Sequence, residues 1–438
     1  MIALLVFALQ APSVPEPFVE RLAYTHEVGT AMTRFQFSPD GTRLGVHLHD
    51  GKSPQLILDG EAVDKGHDYF AGPLFSSDGK HVAWAHGDRK GKKEKWQVIL
   101  NDKKVGSYDW AGNLALSDNG TLAFWSGKGV KLSNEGWYTG GKYTLMVGKK
   151  KSGETRQAPD SPPLLSNRGK LIGYTALDQG YLIYLGKEEL GPYMWVSGMT
   201  ATPDGKAVAW TATSMPDGSG DMGFGGMAPS GSGMPRFRGE AYLDGEVVSG
   251  NEDEACASPA LSNDGRKLAY ITQRNDKVSV VVSGETWKVR AGSASSPVFS
   301  PDGKKVAVVL DHGTATATMG MPDLNTRWLD GMNEAAMDAS GAWVLRKPDG
   351  ECFLYVDGVK SIGPFKRAVL PVWSPDSEQL ALRVQTDDGW KMVVGKTESP
   401  TFTSVGKPVF SPDGSKVAFG AQDGQEVWWK VMELPKKE

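Results

Sequence analysis

The sequence predicts an all-β protein built from about ten repeats of three or four antiparallel strands. Three observations lead there. The string FSPDG occurs at Phe37–Gly41, Phe299–Gly303 and Phe410–Gly414. A related glycine-ended turn recurs at nearly constant spacing along the chain. The 438 residues include 54 Gly, 26 Pro and 14 Trp, a mixture that suits short strands joined by tight turns and opposes long helices.

The turn marker reads SPDG, SSDG, SDNG, SNRG, TPDG, SNDG, SPDG, DASG, SPDS and SPDG, with the glycine slot at Gly41, Gly79, Gly120, Gly169, Gly205, Gly265, Gly303, Gly341, Ser377 and Gly414. Successive steps are 38, 41, 49, 36, 60, 38, 38, 36 and 37 residues, a period near 38 with two insertions. Apolar or alternating segments follow the markers, such as RLGVHLH, HVAWAH, TLAFW, KLAYIT and KVAFGA, and these are strand signals. In the marker, Pro sets φ at the first corner, Asp bonds nearby backbone and Gly accepts a positive φ, so the marker bends one strand into the next. That role accounts for Asp40, Asp78, Asp204, Asp264, Asp302, Asp376 and Asp413 without catalysis.

A second hairpin follows in most units, as in QLILDGEAV, EAYLDGEVVSG and CFLYVDGVKSIG, where Asp-Gly joins an apolar strand to a shorter partner. A three- or four-stranded sheet cannot bury both faces alone, so the units must stack face to face around an axis, as a β-propeller does. Ten units exceed the usual four to eight blades or so, which leaves one large ring or two smaller rings, with a subdivision near 213–239 in the second case. The array is expected over 18–438. Phe37, before its marker, is expected in a blade interface. The final unit, with KVAFGA and EVWWKVMEL, lacks a fourth strand, and part of Phe18–Val28 is expected to supply it.

The FSPDG copies, with TPDG at 202–205 and WSPDS at 373–377, resemble the WD40-like β-propeller repeats of the TolB type (PD40). The resemblance runs from about Arg34 to the end. It implies a binding scaffold rather than one activity. Propellers also serve as accessory domains of prolyl oligopeptidase-type peptidases, but no attached hydrolase domain is visible in this sequence.

Composition narrows the function classes. Forty-eight basic and 52 acidic residues give a net charge of -4, so no cationic field is available for nucleic acid. The basic run Arg89–Lys95 reads as a solvated hairpin tip. Cys256 and Cys352 are the only cysteines, which excludes a disulfide scaffold; they are expected to be reduced, with Cys352 partly buried. The apolar run Met1–Leu9 is too short to span a bilayer, which takes about 20 residues. Residues 1–17 are a candidate signal segment and linker, although no Lys or Arg opens them. The protein is periplasmic or secreted on this reading, and cytoplasmic if the segment is not a signal.

No cofactor is predicted, because the glycine runs lack the order of a phosphate-binding loop and no nucleophile elbow stands in an α/β context. The glycine-rich insertion at 213–239 carries Met222, Phe224 and Met227, the tip of a loop that folds over one face. His47 and His49 share a strand face and, with Asp50 or His67, form a candidate metal set. Nothing fixes its third ligand, and the sequence is read as carrying no metal. Trp84, Trp96, Trp125, Trp210, Trp373, Trp428 and Trp429 are expected between blades. Trp110, Tyr138, Tyr193 and Trp195 fall between strand pairs and are expected on an exposed rim or mouth, where aromatics serve binding.

The resulting function is a noncatalytic scaffold for a protein or peptide partner. The alternative is a carbohydrate-binding or hydrolytic propeller using carboxylates and aromatics at the axial mouth.

Overall fold

A computed structural model describes residues 18–435, except 26–31, 50–53, 134–137, 179, 215–237, 253, 275–276, 289–290, 313–316, 320–334, 338–342 and 347–350. The 1–17 segment therefore lies outside the described residues, as do Met222, Phe224 and Met227. Every regular element among the described residues is a strand. Among the described residues eleven sheets form, of which two are small inserts and nine are blades.

The blades span 32–65, 69–108, 110–155, 164–193, 195–252, 255–286, 293–365, 367–398 and 404–433, each an antiparallel meander. First strands of successive blades lie against one another from blade 1 to blade 8. Blade 8 meets blade 9 through its third strand, and blade 9 returns against the first strand of blade 1. The array is one ring. Arg21–Thr25 supplies the outer strand of blade 9, pairing Arg21 with Trp429 and Thr25 with Glu426, as the sequence had suggested. The Arg21 guanidinium lies 3.9 Å over the Trp429 ring, and Lys430 Nζ meets Glu20 Oε1 at 2.7 Å.

The core is distributed among the blade boundaries, because each sheet is apolar on the two faces that meet its neighbours. A buried cluster occupies every boundary. Phe37 meets Trp429 edge to face at 4.7 Å across the closure, and Phe410 is buried between blades 8 and 9. Trp125, Trp210 and Trp429 are wholly buried, a burial whose loss by truncation to Ala costs about 3–5 kcal/mol each. Trp428 departs from expectation. It sits on the other face of its strand, half-buried, with Nε1 on Glu426 at 3.0 Å.

The marker turns carry a shared bonding scheme. Ser38 Oγ donates to Asp40 Oδ1 at 2.5 Å and accepts from the Arg43 N–H at 2.9 Å, while the Gly41 N–H closes on the Ser38 carbonyl at 2.8 Å. Gly41 has φ +70°, and a Cβ there would stand 2.7 Å from the Phe18 ring. The same serine or threonine to aspartate bond occurs at Asp78, Asp204, Asp264, Asp302, Asp376 and Asp413.

Ten markers yield nine blades for a local reason. Gly341 lies outside the described residues, but the strands on either side of it, Ala335–Met337 and Trp343–Arg346, pair with each other, and Trp343–Arg346 also pairs with Ala317–Met319, in a separate small sheet. That sheet is inserted between the second and third strands of blade 7, Val306–Asp311 and Cys352–Val356.

Neither Cys256 nor Cys352 is in a disulfide. Cys352 is 3 % exposed, more deeply enclosed than expected, because its strand is the third of blade 7 and faces blade 8.

Candidate functional site

In a four-stranded meander, the turns after the first and third strands lie at one end, and the turn after the second strand and the link to the next blade lie at the other. The marker turns therefore share one face of the ring. The opposite face receives every second-to-third-strand loop. Blade 3 places there a hairpin, Lys131–Leu132 with Tyr138–Thr139. Blade 5 has Ser214 and Arg238 at that end, the residues joining them lying outside the described ones, and blade 7 places its three-stranded insert there. We call this the insertion face.

Two polar clusters lie at its edge over blades 1 to 3. In the first, Asp64 comes from the outer strand of blade 1, Glu61–Lys65, and His67 from the link to blade 2. Trp84, His86 and Asp88 alternate along the second strand of blade 2, Val82–Lys90, and so share one side of it. His86 Nδ1 lies 2.5 Å from Asp64 Oδ2, His67 Nε2 3.1 Å from Asp64 Oδ1, and His67 Nδ1 2.7 Å from Asp88 Oδ1. Trp84 Nε1 donates to Asp64 Oδ2 at 2.9 Å. Burial raises the Asp64 carboxyl, but the His86 and Trp84 bonds outweigh it and hold the group below its ordinary value. The two imidazoles stack at 3.8 Å with 5° between planes. His86 Nε2 is buried and meets no hydrogen-bond partner.

The histidine set expected from sequence is rearranged. His67 takes part, but its neighbours are His86 and Asp64 from two different blades. His47 packs its ring against Phe70 at 5.4 Å and is not in the group, and the His49 side chain lies outside the described residues. The signal that could have found His86 is the alternation Trp84, His86, Asp88. Nothing in the sequence places Asp64 over that strand.

The second cluster surrounds Glu94, which lies within the basic run read as a solvated tip. Glu94 is 6 % exposed, and its Oε2 accepts from Trp96 Nε1 at 2.8 Å and from the Tyr138 hydroxyl at 3.0 Å. Burial, then the Glu94 charge, push the Tyr138 hydroxyl above its ordinary range. Trp110 meets Tyr138 edge to face at 5.8 Å. Trp110 is buried at 8 % exposure, a correction to its rim position: the inserted hairpin covers it.

Tyr193 and Trp195 stand half-buried at the boundary of blades 4 and 5. Trp195 meets Tyr181 at 4.8 Å, and Tyr193 meets Tyr242 at 5.8 Å. The Tyr242 hydroxyl and Ser214 Oγ both donate to Glu240 Oε2, at 2.7 and 2.8 Å, which ties the ends of strands Val208–Ser214 and Arg238–Leu243 together. Thus Trp110 with Tyr138, and Tyr193 with Trp195, belong to two separate groups on the same face.

No helix among the described residues is long and apolar enough to cross a membrane.

No family model matches the chain. The Tol-Pal system protein TolB of Francisella tularensis subsp. mediasiatica (strain FSC147) is 35 % identical over 78 residues, 16 % of this chain and 18 % of that protein. TolB of subsp. holarctica (strain OSU18) matches to the same extent. The chain thus matches less than two thirds of these relatives' length, namely 18 %. Among solved structures, a Dos1 propeller superposes over 94 % of this chain and 95 % of its own at 11 % identity, with a TM-score of 0.45. The β-propeller domain of the Trilobed protease from Pyrococcus furiosus covers 85 % of this chain and 99 % of its own at 9 % identity, with a TM-score of 0.37. The repeat that spaces the sequence, the ring it builds and the local match to TolB agree: the chain is a TolB-like, WD40-like β-propeller.

Proposed function

We propose that this chain is a noncatalytic scaffold of the cell envelope that holds a protein or peptide partner against its insertion face. The observation that carries the reading is that the insertions of blades 3, 5 and 7 all emerge at one end of the ring. The marker face, by contrast, spends its polar groups on turns of common design. Tyr193 and Trp195 flank Met194, which is 38 % exposed and bonds the Thr213 carbonyl through its N–H, and aromatic and methionine side chains are enriched in binding surfaces. The likeness to TolB, a Tol-Pal system protein, supports the periplasmic or secreted location.

The test is site-specific photo-crosslinking in the native cell. A crosslinker at Met194 should trap a protein adduct, and one at Lys304 on the marker face should not. Equal adducts at both, or an adduct only at Lys304, would discard the reading, and recovery of the full chain solely from cytosol would discard its envelope part.

A further inference from the structure

We propose that Asp64, His67 and His86 bind a divalent transition-metal ion, with zinc the reference occupant, across the seam between blades 1 and 2. The three side chains can each offer one ligand atom, and these atoms all lie within 4.8 Å of one another. Two imidazole nitrogens and one carboxylate oxygen form a borderline donor set that suits zinc and its neighbours, whereas calcium and magnesium take oxygen ligands.

The distances fit with small adjustment. Ligand bonds of about 2.0–2.1 Å in a tetrahedral site place ligand atoms roughly 3.3 Å apart. His67 Nε2 stands 3.1 Å from Asp64 Oδ1 and His86 Nδ1 2.5 Å from Asp64 Oδ2, so the carboxylate lies between the two imidazoles, and one of its oxygens and one nitrogen of each ring fall within 4.8 Å of one another. Asp88 accepts from His67 Nδ1 at 2.7 Å, the arrangement by which a carboxylate fixes the tautomer of a metal-bound imidazole and leaves Nε2 free to ligate. Trp84 holds Asp64 in turn.

A second observation separates this cluster from an ordinary ion-pair network. His86 has a side chain 9 % exposed, aims Nδ1 at the Asp64 carboxylate and leaves Nε2 without a hydrogen-bond partner. A buried imidazole kept only for structure ordinarily satisfies both nitrogens. With Nδ1–H donating to Asp64, Nε2 carries the lone pair, the state in which an imidazole takes a metal ion. His67, at 21 % side-chain exposure, leaves a route for the ion from solvent.

The test uses the full chain without a histidine tag, stripped with chelator and titrated with zinc chloride against a chromophoric zinc indicator. One equivalent should bind, and cobalt(II) in its place should give visible d–d absorption. His67→Gln and Asp64→Asn should each weaken zinc binding at least tenfold and abolish the cobalt spectrum, while His47→Gln leaves both unchanged. His67 lies in a link rather than a strand, and a metal-free melting curve for its variant matching that of the parent shows that the fold is kept. Zinc should raise the melting temperature of the parent and not of His67→Gln. Zinc affinity equal in the parent, His67→Gln and Asp64→Asn overturns the proposal, as does loss in His47→Gln to the same degree.

Discussion

Ser377 Oγ accepts a hydrogen bond from the Asp302 N–H at 3.1 Å, which joins the marker turn of blade 8 to that of blade 7. Comparable bonds link other neighbours: the Ser77 N–H to Asp118 Oδ1, the Asp118 N–H to the Asn167 carbonyl, and the Asn167 N–H to the Pro203 carbonyl, at 3.0, 3.1 and 2.8 Å. The marker face is thus laced from blade to blade. In sequence, the bond from Asp302 to Ser377 skips the marker string at Gly341, which lies outside the described residues.

Ser377 pays for that bond with a φ of +65°, a region that costs a residue with a Cβ roughly 1–2 kcal/mol. Ser377→Ala keeps the strain and loses the bond, itself worth about 0.5–1.5 kcal/mol, so it should destabilise the protein by about 1 kcal/mol. Ser377→Gly loses the bond but relieves the strain and should come out near neutral. Urea denaturation of both variants decides the matter; an alanine variant no less stable than the glycine variant contradicts this account.

Residues 21–25 close the ring, and without them Glu426–Glu433 would present an unpaired edge. A chain beginning after Thr25 should melt at lower temperature and self-associate as its concentration rises. Light scattering of truncated and full chains at matched concentrations measures this. A truncated chain that stays monomeric with an unchanged melting curve would show that the closure strand contributes nothing.

The marker aspartates set an acid limit. Asp302 is held down to about 2 chiefly by its bond from Ser300, Asp413 to about 2 by Ser411, and Asp204 to about 2 by Lys206. Because these values are depressed below the ordinary 3.8, the stability they lend is complete above that pH and is lost as the pH falls through about 2. Tryptophan fluorescence during acid titration should report loss of structure within that window. The triple variant Asp204→Asn, Asp302→Asn, Asp413→Asn cannot titrate there and should show a shallower dependence; an identical acid limb would rule these groups out as its cause.

Much of the fold was legible because its cause is local. Pro, Asp and Gly at fixed places in a turn, and alternation in the strands that follow, act within a few residues and need no distant partner. The site was legible only in fragments. His67 stood out as a histidine and Tyr138 as an aromatic between strand pairs, but Glu94 looked like one charge in a solvated run until the 131–139 hairpin was seen to lie over it, with the Tyr138 hydroxyl on its Oε2. Trp110 was misjudged for the same reason.

The sequence by itself determined the repeating unit, the strand-turn-strand order within it and a closing outer strand somewhere within 18–28. Only the tertiary structure decided that ten markers make nine blades, that the insertions of blades 3, 5 and 7 leave their strands at one end of the ring, and that Asp64 meets His86 across a blade seam. Turn chemistry and pleat alternation are short-range, whereas the number of sheets that fit around an axis, and the side chains brought together between them, follow from packing over the whole ring.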